Sequence, residues 1–115
     1  MSHITTVEVD ITDHDALADT CRELGLQMTA HSSALIFQTA VDGTVIQLPG
    51  WTFPVIVKDK TLVYDNYQGA WGDIGELNKL RRHYAIKATT RTASRMGRKI
   101  IKREEHNGRI RLTLA

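Results

Sequence analysis

Lys79, His83, Lys87, Arg91, Arg95 and Arg98 follow one another at intervals of four, four, four, four and three residues. On a helix that spacing gathers them into one slowly drifting stripe, about 28 Å long at 1.5 Å per residue. The chemistry open to such a row is electrostatic. Repeated ammonium and guanidinium groups neutralise phosphates and release their counterions without needing base-specific geometry. An ordinary solvated helix mixes signs to gain i,i+4 pairs, yet after Asp73 the only acid in this stretch is Glu76. A basic but merely solvated face uses the same residues and is the competing reading. Arg82 beside the row, and Lys99, Lys102, Arg103, Arg109 and Arg111 beyond it, extend the positive block.

The rest of the chain is charged the other way. Residues 1–76 hold 3 basic and 11 acidic side chains, a balance of −8, whereas residues 77–115 hold 12 basic and 2 acidic, a balance of +10. The formal net charge of +2 conceals this division. A basic end block points to a polyanion or an acidic protein, and an acidic body on the same small chain favours self-association, a closed dimer being the commonest outcome.

Trp51, Phe53, Tyr64, Tyr67 and Trp71 lie close together in sequence. Tyr67 and Trp71, among Asn66, Gly69 and Gly72, are the candidates for stacking unpaired bases, each stack contributing about 1–3 kcal/mol. Packing in a core or dimer is the other use of such rings.

Catalysis has little to work with. Cys21 falls on an apolar helix face, where an inert thiol is expected. The five histidines are scattered without metal-ligand spacing, and there is neither a Gly-rich phosphate loop nor a Gly-x-Ser-x-Gly elbow. The expectation is a non-enzymatic protein with no metal or cofactor. A single cysteine fits a reducing, cytoplasmic setting, and the chain offers no apolar run for a signal peptide or a membrane span.

With 115 residues and 42% hydrophobic residues, the chain suits one domain over 1–115, with 77–115 as its binding part. The alternation of residues 4–11 predicts a strand. Thr12 as cap, Asp15 three residues on, and Leu17, Cys21 and Leu24 at i, i+4 and i+7 predict a helix over 13–24, stopped by Gly25. Residues 34–41 and 44–48 read as a hairpin turning at Asp42-Gly43, and 54–57 with 61–64 as a second around Lys58-Asp59-Lys60. A helix over 73–96 follows, with Ile74, Leu77, Tyr84 and Ala88 on its buried face. Its second half, 88–95, lacks large apolar residues and is expected to project, fray or pack only on binding. Asn107-Gly108 predicts a closing hairpin, with Ile110, Leu112 and Leu114 facing the core. The order β-α-β-β-β-β-α-β-β gives an α+β fold, an antiparallel or mixed sheet of hairpins with two helices packed on it.

Three stretches carry a family resemblance. Met1-Ser2-His3-Ile4-Thr5-Thr6-Val7 resembles the opening of the plastid and cyanobacterial Ycf35 family of small proteins, a domain of unknown function. Trp71-Gly72-Asp73-Ile74, with Leu77-Asn78-Lys79-Leu80 and Arg82-His83-Tyr84-Ala85, is similar to that family's Trp-containing helix entrance and its Tyr-Ala pair. Asn107-Gly108-Arg109-Ile110-Arg111-Leu112 is similar to its C-terminal Asp-Gly-x-Ile-Arg-Leu hairpin. The middle of the chain departs from the family, and the second half of the long helix is richer in Thr and Arg. The resemblance implies no catalytic residue. Such domains also occur in phage genomes, so it implies a phage accessory protein. Residues and resemblance together lead to the expectation of a sequence-independent nucleic-acid-binding accessory protein, favouring single-stranded DNA, in a transcription or replication role. The alternative is a module docking on an acidic host protein such as a polymerase, as inhibitor or cofactor.

Overall fold

The computed structural model describes residues 4–8, 11–106 and 109–114. Its elements are β1 (Thr5–Glu8), α1 (His14–Leu24), β2 (Gln27–Ile36), β3 (Thr39–Gln47), β4 (Val55–Lys58), β5 (Thr61–Tyr64), α2 (Ile74–Arg95), β6 (Ile100–His106) and β7 (Arg109–Leu114). This is the α+β order that the sequence predicts. Five strands form one antiparallel sheet in the order β1-β5-β4-β3-β2, and β6 pairs with β7 in a separate two-stranded sheet.

Both helices pack on one face of the larger sheet. Leu17 and Cys21 of α1 and Leu77, Leu80 and Tyr84 of α2 meet Ile46, Leu48, Val55, Val57 and Leu62 in a continuous core. Trp51 closes this core at the entrance of α2: its ring packs edge-to-face with Tyr64, and its Nε1–H donates to the Asp73 carbonyl at 3.1 Å. Asp73 in turn caps the helix, accepting from the Gly75 N–H at 2.9 Å. Ile74, expected inside, is 42% exposed because the cap turns this first residue outward, and the buried stripe begins at Leu77.

The other face of the sheet is covered by the protein's own longest hairpin. Along a straight β3 the β2–β3 tip and the β3–β4 connection stand about 27 Å apart at 3.4 Å per residue. Yet Phe37, at the tip, has its ring centroid 6.4 Å from that of Phe53 in the connection. The hairpin therefore folds back over the sheet, burying Ile36 against Ile56 and Val63 with Ala34 and Val41 around them. The bend coincides with two departures from regular pairing. A bulge separates Thr29 from Ser32, with His31 at φ +52°, and Gly43 opposes Ser32 at φ +150°.

This arrangement corrects the expected turn at Asp42-Gly43. Both residues lie inside β3, and the turn is Phe37-Gln38, between the paired residues Ile36 and Thr39. Local sequence favours a turn at Asp-Gly, but the glycine is needed for close approach to β4. The aromatic at φ +55° is held by the rings it meets. The second hairpin, β4–β5, is as predicted. In β6–β7 the partners His106 and Arg109 flank Asn107 and Gly108, which lie outside the described residues, as do the side chains of Ile110, Leu112 and Leu114.

Candidate functional site

The first turn of α1 and the last turns of α2 are joined by charge. Asp13, not Thr12, caps α1: its Oδ1 accepts from the Ala16 N–H at 3.0 Å. Its Oδ2 takes the Arg91 Nε–H at 3.0 Å and lies 3.9 Å from Arg95, while Arg91 also reaches Asp15 at 3.3 Å. Lys87 pairs with Glu23 at 2.6 Å. The Ala16 hydrogen bond, and after it Arg91 and Arg95, hold the Asp13 carboxyl below its ordinary pKa against the opposing effect of burial. Acids at the start of α1 and arginines at the end of α2 also complement both helix dipoles.

Residues 88–95 therefore do not project from the body. Ala93 is fully buried, Ala88 packs against the core, and the seam with α1 supplies what large apolar residues would have. Its partners lie some 76 to 78 residues away in sequence, which is why the segment alone looks unpacked. Tyr84 completes the join, its hydroxyl accepting from the backbone N–H of Thr12 and of Asp13 at 3.0 Å each. Tyr84→Phe strands both donors, and a loss of about 1–3 kcal/mol in urea unfolding is expected, with an unchanged m value.

The stripe thus divides. Lys87, Arg91 and Arg95 are engaged in the seam, with Lys87 and Arg91 about one-third exposed. His83 is half-buried. Lys79 and Arg82, and with them Arg81, are exposed and have no ion-pair partner among the described residues. The same holds for Arg98 and Lys99, just past α2, and for Arg111 on β7. Lys102 is exposed but pairs with Glu104 at 2.6 Å, and Arg103 is exposed beside it. The Arg109 side chain lies outside the described ones.

The aromatic residues form two groups. Trp51 and Tyr64 belong to the core. Trp71 has two near-parallel neighbours, Tyr67 at 4.6 Å and Phe37 at 5.6 Å, and Phe53 stands edge-on at 5.2 Å. Trp71 is therefore engaged within its own chain, which corrects its expected role as an open stacking platform; Tyr67, 45% exposed, continues the stack toward solvent. Phe37, which sequence reasoning missed, reaches this group only because the hairpin folds back. The stack precedes α2, and Arg98 and Lys99 follow it. A helix of 22 residues, about 33 Å, separates the two features in a molecule 49 Å long.

Burial of Cys21 pushes its thiol up to about 11. Among the described residues no three His, Cys, Asp or Glu side chains are grouped to hold a metal, and no helix is long and apolar enough to cross a membrane. A polar depression of about 400 Å³ lies over the seam, lined by Thr12, Asp13, His14, Asp15, Thr92 and Arg95. Comparison with family models, curated proteins and solved structures returns no match to this chain.

Proposed function

We propose that this protein binds nucleic acid through the phosphate backbone, without sequence preference, and single-stranded DNA ahead of duplex. The observation that carries the reading is the set of exposed cations without acidic partners among the described residues: Lys79, Arg81 and Arg82 on α2, and Arg98, Lys99 and Arg111 at and beyond its end. Acids are plentiful in this chain, yet among the described residues none forms an ion pair with these side chains. Lysine and arginine in such a row supply charge, whereas reading a base edge needs a groove-positioned helix or ribbon with convergent donors and acceptors. Tyr67 favours single strands because only an unpaired base can stack on it.

A gel-shift titration with a labelled single-stranded oligonucleotide against matched duplex tests this. With about five phosphates neutralised, log affinity falls with log salt at a slope of roughly −3.5. Arg98→Ala, Lys99→Ala and Arg111→Ala together should weaken binding to every sequence alike and flatten the slope by about 2. These side chains are exposed, so the fold survives their loss. No retardation at low salt rejects the reading and turns attention to an acidic protein partner.

A further inference from the structure

We propose that the α1–α2 seam is a built-in competitor: the carboxylates of Asp15 and Glu23 occupy positions on Arg91 and Lys87 that the phosphates of a bound polyanion would otherwise take. The inference rests on the nucleic-acid reading and extends it to the regulation of that surface.

Three observations combine. Lys87, Arg91 and Arg95 follow Lys79 along α2 at four-residue steps, and Arg98 lies just past its end, so an anion that follows this winding row from Lys79 to Arg98 passes over them. Each of the three meets a carboxylate of α1, at 2.6 Å for Lys87–Glu23, 3.0 Å for Arg91–Asp13, 3.3 Å for Arg91–Asp15 and 3.9 Å for Arg95–Asp13. The contacts are exchangeable rather than entombed: Asp15 is 82% exposed, Glu23 54% and Arg95 65%. An ion pair that water reaches contributes little to stability, so giving it up for a phosphate costs little. Asp13 differs, since its other oxygen caps α1; it holds Arg91 in place while Asp15 and Glu23 exchange. The masked stretch lies between two exposed cationic groups. A short anion therefore meets either end alone, while a long one gains the middle by displacing Asp15 and Glu23.

Asp15→Asn with Glu23→Gln removes the two exposed competitors and leaves the cap intact. Asp19→Asn with Asp59→Asn makes the same change in net charge away from the stripe: Asp19 pairs with Arg22 on α1, and Asp59 sits in the β4–β5 turn. Both variants and the parent are titrated with the single-stranded oligonucleotide and eluted by salt from an immobilised sulfated polysaccharide. The first variant should bind the oligonucleotide about three- to thirty-fold tighter than the parent and elute later, with the second close to the parent. Equal shifts in the two variants, or no tightening in the first, overturn the proposal and leave the seam as packing alone. If no form retards the oligonucleotide while the first variant still elutes later than the second, the nucleic-acid reading falls and the competition stands for another polyanion.

Discussion

Gly72→Ala is expected to lower stability by about 3 kcal/mol, a large share of what a domain of this size possesses. The cause is contact, not backbone conformation. A Cβ at this position would fall inside the van der Waals envelope of the Trp51 indole, against its Cδ2, Cε2 and Cγ. Neither side can give way cheaply. Trp51 is 5% exposed in the main core, tied by its Nε1–H to the Asp73 carbonyl, so moving the ring opens the core and breaks that bond. Lifting the loop instead would drag Asp73 from the start of α2 and strain the Thr52 N–H to Trp71 carbonyl bond of 2.8 Å. Urea unfolding followed by far-ultraviolet circular dichroism reads the shift in midpoint, and a variant that unfolds with the parent would contradict the packing described.

Much of the fold was legible because its signals are local. The apolar spacing of residues 13–24, the polar turn at Asp59-Lys60, and Asn107-Gly108 between extended runs each state an element within a dozen residues, although the cap of the first helix is Asp13 and not the expected Thr12. What could not be read locally depends on partners distant in sequence. The long helix looked unpacked after Ala88 because its second half is fastened by a small buried residue, Ala93, and by acids of α1. The basic row was visible as a row; its division into engaged and open parts was not, because periodicity reports which side chains share a face and says nothing of what lies opposite. The same limit applies to Trp71. Its place in a Gly-rich loop suggested exposure, whereas the ring is flanked by Phe37, more than thirty residues earlier.

The second large effect is expected at Gly43, whose reading changed most between sequence and structure. Gly43→Ala should cost about 3 kcal/mol or more, from two sources that add. The residue sits at φ +150°, a conformation that side-chain-bearing residues rarely adopt. A Cβ there would also stand 2.5 Å from the Val57 carbonyl oxygen and 2.9 Å from the Ile56 Cγ2. The nearest of these is backbone, which no change of rotamer moves. Relief requires the hairpin to lift from β4, and the consequence is specific: Ile36 leaves Ile56 and Val63, and Phe37 leaves Phe53 and Trp71. The helical core on the opposite face keeps its contacts. The variant should therefore lose near-ultraviolet aromatic dichroism and gain protease sensitivity near Phe37-Gln38 while its helical signal persists. A Gly43→Ala protein matching the parent in unfolding midpoint and aromatic dichroism would show that the hairpin does not fold back over the sheet.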